Sequence, residues 1–437
     1  MRVWFLVACG SLPLVGSAAA ACANAEDDEL MTPQPDAAPT EPVDVPDSSN
    51  GPDAAADAQD DAALEQPRCS SDGWCATALP DTDLLVKDIW ALPGYAFAVA
   101  ESPTLGVKVL EWSDARSQWD YIDDFTQNEP GGGRYAGKIW APNEDEVYYG
   151  VAPGYVYHGL RPKAPATRWS WERGLLGTIN LSNPDEANPS YWKNASTRVP
   201  ALGVWGTSSG DVYAWFKNTI YHSTPADGGG LEWIPEYVAD DTDAAAEQIY
   251  FFDATGTSSN DVWFAGGRSR SSAGCAVVVH KTASKYERIA DGVLTGNSSP
   301  CATRAGTLMI GGTEGWLTNI QALGPSELIG LKGARDVARI SSSDVGYSVA
   351  LASVPTKVTA SGLNSLSAVA NDLWLGGSGV VVRGDNVWDG GTYGGAYELS
   401  SIALNGPLGR AIYQVRGTSN NNLWAIGVRY ALHKTTP

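Results

Sequence analysis

GVWGTSSGDVYAWF, residues 203–216, is the stretch that decides the fold. An apolar run closes on Trp205-Gly206, small and polar residues follow, and Asp211 opens a second apolar run. The phrase returns as TGTSSNDVWFAGG at residues 255–267 and as VRGTSNNNLWAIG at residues 415–427. Val, Tyr, Trp and Phe suit half-buried strand faces. Ser and Asp between them can bond nearby backbone amides and hold a tight reversal. Each copy therefore reads as strand, turn, strand. One such unit cannot bury its own apolar face, so the copies must stack to make a core.

Aligned on the apolar residue after the turn, the units place Ala96, Val147, Val212, Val262, Leu308, Val345, Leu373 and Leu423 in equivalence. Intervals of 46, 50, 50 and 51 residues recur among them, matching four-stranded blades of ~40–50 residues. The stretch from Leu308 to Leu373 is compressed. Asp211, Asp261, Asp344, Asp372 and Asn422 recur beside the turn and read as turn residues. The last unit ends at Leu432-His433-Lys434 with three strands, which leaves an open edge in a closed ring. GWCATALP, residues 73–80, has the character of a fourth strand and supplies it. The expectation is an all-β protein: a single β-propeller of seven or eight blades, each of four antiparallel strands, closed by the amino-terminal strand and preceded by a disordered tail.

The pattern WGTSSxDVWAxG, followed by an apolar strand ending in His and then by a Trp, resembles the repeats of secreted bacterial propellers of the myxobacterial lipoprotein type. More distantly it resembles sialidase-type and photosystem-assembly-type propellers. The resemblance runs from Trp74 to Lys434 and implies a surface lipoprotein. It carries no chemistry, because a fold does not imply a function.

Met1-Arg2, a largely apolar run over residues 3–21 and the small residues Ala19-Ala20-Ala21 read as a secretory signal peptide, residues 1–21. Cys22 follows and is the candidate lipidation site, with Ala23 favouring the outer membrane. Cleavage by an ordinary peptidase after Ala21 or Ala25 is the alternative. Residues 23–68 hold 13 acidic residues and one Arg among many Ala and Pro. Such a segment cannot bury enough apolar surface to order itself, so residues 22–68 read as a disordered, self-repelling tether. The propeller domain is then residues 69–437. The 17 Trp and 18 Tyr of the full chain, with 18% charged residues, fit a β-rich exported protein. The net charge of −21 excludes a surface built for phosphate backbones, hence no nucleic-acid partner.

Beyond Cys22 the chain has four Cys, an even number that favours disulfides in an exported protein. Cys69 and Cys75 bracket the start of the closing strand. Cys275 opens a third strand and Cys301 precedes a first strand, connections that emerge on one face of a propeller, which pairs Cys275 with Cys301. Zinc is the weaker alternative, because no His stands at ligand spacing.

No catalytic residue, metal ligand or cofactor motif is assigned. His158, His222, His280 and His433 fall at the same place in four repeats and so cannot converge on a substrate. There is no G-x-S-x-G elbow and no G-x-x-x-x-G-K-[ST] loop. A sialidase-like hydrolase or lyase would need several Arg, a Tyr–Glu pair and an acid at the ring centre; Arg134, Arg268, Arg304, Arg383 and Arg416 are unlinked pieces of that. Connections between blades share one face with the turns between second and third strands, and the long segments 121–138, 172–200, 238–248, 266–274 and 389–412 fall there. Function concentrates on elaborated loops, so Tyr191, Trp192, Arg268, Arg270, Tyr393 and Tyr397 are the ligand-face candidates. The reading is a monomeric, non-catalytic binding or scaffold module for an extracellular protein, with a glycan as the alternative ligand and contact with the membrane only through an amino-terminal lipid.

Overall fold

The computed structural model describes residues 69–129, 135–152, 154–176, 201–226, 230–283, 285–388, 396–402 and 409–436. The signal-peptide, Cys22 and tether readings lie outside them. Seven four-stranded antiparallel sheets are present, and the first strands of successive sheets touch one another in a closed circle. These first strands are Leu85–Leu92, Tyr135–Asn143, Leu202–Ser208, Gln248–Ser258, Leu317–Gly324, Leu363–Val369 and Ile412–Ser419, opening blades 1 to 7. The fold is a seven-bladed β-propeller.

The repeated phrase folds as its chemistry requires. In blade 3 the first strand bulges at Thr207, Ser208 pairs with Asp211, and Ser209-Gly210 make a two-residue turn. Blade 4 repeats this with Ser258 against Asp261, and blade 7 with Ser419 against Asn422. Second strands are covered by a neighbouring blade on each face. Glu146–Ala152 is buried at every residue and Asp261–Arg270 at all but the last, so they carry apolar residues without alternation. Outer strands such as Ser170–Leu175 face solvent and are mostly exposed.

Trp74–Thr77 closes the ring, pairing antiparallel with Tyr430–Lys434 as the fourth strand of blade 7. Trp74 has no exposed surface, meets Trp374 edge-on at 5.9 Å and donates its indole N–H to Ser400 Oγ at 2.9 Å. The Cys69–Cys75 disulfide ties the chain just ahead of this strand to the strand's second residue. Cys275–Cys301 ties blade 4 to a short hairpin, Gly292–Val293 with Ala302–Thr303, inserted before blade 5. Cys301 therefore precedes that insertion's second strand and not a blade's first.

The equivalences of Leu308 and Val345 are corrected. Leu308 lies in the connection after the inserted hairpin, and Val345 is 98% exposed in the turn between Asp336–Ser343 and Gly346–Ser353, the third and fourth strands of blade 5. The second strand of that blade is Glu327–Lys332, so Leu328 and Glu327 stand where Leu308 and Asp344 were placed. Residues 266–274 are no loop either: the second and third strands of blade 4 run on as a hairpin to Arg270 and Ala273. Among the described residues no helix is long and apolar enough to cross a membrane.

Candidate functional site

The first residue of the second strand is a carboxylate or amide in six blades, and it grips a base on the third strand. Glu146–His158 is 2.9 Å, Asp211–His222 3.0 Å, Asp261–His280 2.8 Å, Asp372–Arg383 3.0 Å and Asn422–His433 3.1 Å; Glu327 holds Arg339 likewise. The imidazoles stack on the aromatic residue two places along the second strand, with centroids 3.7 Å apart for Trp263–His280 and 3.9 Å for Trp424–His433. Three of these groups also reach the next blade. Ser209 donates to Glu146, the Ser326 N–H to Asp261 at 3.3 Å, and Asn420 to Asp372 at 2.7 Å. Each is a clamp between blades.

Burial works to raise the Glu146 and Asp211 carboxyls, but hydrogen bonds outweigh it and hold both at about 2; the donors are His158, Ser209 and Tyr148 for Glu146, and His222, Thr207 and Tyr213 for Asp211. Burial pushes His433 down to about 4 and lowers His280 against the pull of Asp261. The four His lie in blades 2, 3, 4 and 7, each engaged in its own clamp. Blade 1 departs from the pattern: Tyr95 opens the second strand and buried Glu111 replaces the base, pairing with Arg161 of blade 2 at 3.0 Å.

Inside the ring a second pattern repeats. First strands bulge before Asp88, Asp253, Asn319, Ser365 and Gln414. A bulge re-aims the following side chain, and four of these five accept a backbone N–H from the next blade: Asp88 from Ile139 at 2.9 Å, Asp253 from Ile320 at 2.9 Å, Asn319 from Leu366 at 2.7 Å and Ser365 from Val415 at 2.9 Å. Lys138 is buried with its Nζ 4.0 Å from both Asp88 and Asp253. Burial raises the Asp253 carboxyl, opposed by Lys138 and Arg416.

Two residues further along the strands, Trp90, Trp140, Trp205, Thr255, Gln321, Ser367 and Arg416 form the mouth of the central channel, on the face of the first-to-second-strand turns. Several lean onto the following blade. Trp90 meets Trp140 at 6.5 Å; a Cβ on Gly206 would lie 2.8 Å from the Trp140 ring, and one on Gly256 3.0 Å from Trp205. The tight Trp-Gly sequence thus has a packing cause. Thr255 Oγ1 accepts the Ala322 N–H at 2.9 Å, and Gln321 exchanges two 2.7 Å bonds with Ala368. The Arg416 guanidinium lies 4.6 Å over Trp90.

Two cavities of about 390 Å³ and about 220 Å³ adjoin here, sharing Trp90, Trp205 and Thr255; Leu323, 42% exposed, lines the larger and Arg416 the smaller. The arrangement offers a hollow lined by indoles, of which Trp140 and Trp205 are largely covered, and one cationic donor.

Of the residues singled out from sequence, Arg268 is completely buried, with its guanidinium on Asp291 at 2.7 Å and Glu247 at 3.0 Å. Arg270 sits at the hairpin tip and donates to Asn297 at 3.1 Å. Tyr397 lies on the outer strand Ala396–Ser400 and packs against the Val382 and Val387 cluster. Tyr191, Trp192 and Tyr393 lie outside the described residues. The mouth residues, Arg416 apart, escaped the sequence reading, which looked to the opposite face. The signal was present: the position before the turn phrase varies among repeats whose flanks are alike.

No protein-family model matches the chain, and no curated protein sequence matches it. Among solved structures, one described as YCF48 bound to D1 peptide is similar at a TM-score of 0.51 and 15% identity, over 84% of this chain and 97% of that one. The β-propeller domain of Cps50 (Swd1) from Myceliophteria thermophila reaches 0.49 at 9% identity, over 83% and 100%. At such identity the first likeness speaks for the β-propeller fold alone, in agreement with the geometry above.

Proposed function

We propose that the chain is an exported, non-catalytic binding module whose extracellular protein partner docks over the channel mouth. The observation that carries this reading is the pair of adjoining cavities walled by Trp90, Trp140 and Trp205, with Leu323 exposed at the rim. Aromatic anchors around a preformed hollow are what interface hot spots are made of. The YCF48 structure, a propeller holding a peptide, lends the reading support by analogy.

Export rests on the leader at residues 1–21 and on two disulfides, which persist in oxidising compartments. Lipid attachment at Cys22 and an outer-membrane address extend that reading, with residues 22–68 as the spacer. Mass spectrometry of the mature amino terminus tests it: a diacylglyceryl mass on Cys22, absent from Cys22→Ser, is expected, and an unmodified amino terminus at Cys22 or Glu26 counts against it.

The binding reading is tested by comparing two surface variants. Leu323→Glu places a charge at the mouth, whereas Arg270→Glu alters the opposite face. Crosslinking on intact cells should give a discrete adduct with the parent and Arg270→Glu chains and none with Leu323→Glu. The reverse pattern would reject the site. A glycan is the second reading, favoured by the tryptophan walls, and a glycan array lit by the parent chain and darkened by Leu323→Glu would establish it instead.

A further inference from the structure

We infer that the smaller cavity at the channel mouth is a carboxylate-binding site, held by Arg416 and fitted to the carboxy-terminal end of a peptide. The inference rests on the binding role proposed for the mouth and names what enters it. Arg416 makes no hydrogen bond and no ion pair among the described residues; its guanidinium lies over the Trp90 ring at 4.6 Å. A guanidinium carries five donors in a fork that matches a carboxylate in two-point geometry, and stacking on an aromatic ring fixes its plane. Here the fork is partly exposed, oriented by Trp90 and without an acceptor, in a cavity of about 220 Å³.

The buried charges around it are already balanced. Asp253 accepts from Asn319 Nδ2 at 2.7 Å and from the Ile320 N–H, and Lys138 stands 4.0 Å from Asp253 and 4.0 Å from Asp88. Two buried carboxylates therefore answer one lysine and Arg416, so an incoming anion meets a compensated interior and not a bare negative one.

The rest of the lining tells a peptide from a sugar. Ala91, Ala254, Ile320 and Leu366 supply aliphatic wall. The Gln321 amide is bound to Ala368, and Thr255 already accepts from Ala322. Ring hydroxyls need many free donors and acceptors, and buried polar groups left unpaired weaken binding. Ser367 and Thr418 add two hydroxyls to the lining, and Thr418 already accepts from Asn422. One free cationic fork beside mainly aliphatic and indole walls suits a terminal carboxylate followed by an apolar side chain.

The test is calorimetric titration of the full mature chain with three probes. They are a pool of acetylated hexapeptides with free carboxy termini and apolar last residues, the same pool amidated, and an oligosaccharide ending in glucuronate. The free-acid pool should bind saturably, and amidation should weaken it by about tenfold or more, the size of one charged hydrogen bond. Arg416→Gln should reproduce that loss in a protein of unchanged melting temperature. Arg416→Lys, which keeps the charge without the fork, should fall between. Equal binding of the amidated pool, or full binding by Arg416→Gln, overturns the site. Binding of the glucuronate probe alone overturns the peptide assignment. Silence of all three probes, in a chain whose cellular crosslink still depends on Leu323, overturns the carboxylate site and leaves the docking face standing.

Discussion

Asp261 shows how much one side chain does in this molecule. It accepts from Thr257 at 2.5 Å, from Trp263 Nε1 at 2.9 Å, from His280 at 2.8 Å and from the Ser326 N–H of the next blade. Asp261→Ala leaves an indole N–H and an imidazole buried without their acceptor and is expected to cost about 3 kcal/mol. Asp261→Asn should cost less, since Asn422 fills the same position in blade 7 and still binds His433. Urea denaturation of both variants measures this, and equal losses would refute the clamp. The recurring Asp was legible in the sequence because a turn is local chemistry. Its partner was not, because His280 stands 19 residues away and meets it only through strand pairing.

At the scale of the element, the closing strand is the most informative. Its place was legible from two facts together: the last repeat was short by one strand, and residues 73–80 looked like a strand without a blade. Trp74 fills a wholly buried site against Trp374, so Trp74→Ala is expected to cost about 3–5 kcal/mol, the range for deleting a large buried aromatic. It should also expose the edge of Tyr430–Lys434, an unpaired strand open to association. Thermal melts and light scattering on chromatographed protein check both: the variant should melt earlier and form higher oligomers, and a parent-like melt would contradict the closure. Blade 5 was misread for a physical reason. Its third-to-fourth-strand turn, Ser343-Asp344-Val345-Gly346, lies on the same face as the repeated first-to-second-strand turns and uses the same Ser and Asp chemistry. Its true first turn uses Pro325-Ser326, with Ser326 at a φ of 62°, and resembles no other copy.

Over the whole molecule the clamps set the response to acid. His433 ordinarily titrates at 6.5 and is held at about 4, so the unfolded chain binds its proton more readily and stability is lost as pH falls from 6.5 towards 4. Glu146, ordinarily at 4.5, and Asp211, ordinarily at 3.8, are both held at about 2; their contribution is present above the ordinary values and disappears as pH falls towards 2. His222 has the opposite sign. Its hydrogen bond to Asp211 raises it against burial, so its share is full below 6.5 and is lost as pH rises through the raised value. Melting temperature should therefore decline in two stages below pH 6.5, and His433→Gln should shrink the first stage to the share of His280, which burial also lowers. A profile flat down to pH 4 in the parent chain would show that His433 is not buried neutral.

Docking at the channel mouth is the proposal on which the binding role of this ring depends. The most direct measurement places a photo-crosslinking amino acid at Leu323 on the mouth and, separately, at Ser272 on the opposite face, in the full chain on living cells. One dominant adduct is expected from position 323, competed away by the free-acid hexapeptide pool, and none from position 272. An adduct from position 272 with silence at 323 would contradict docking at the mouth.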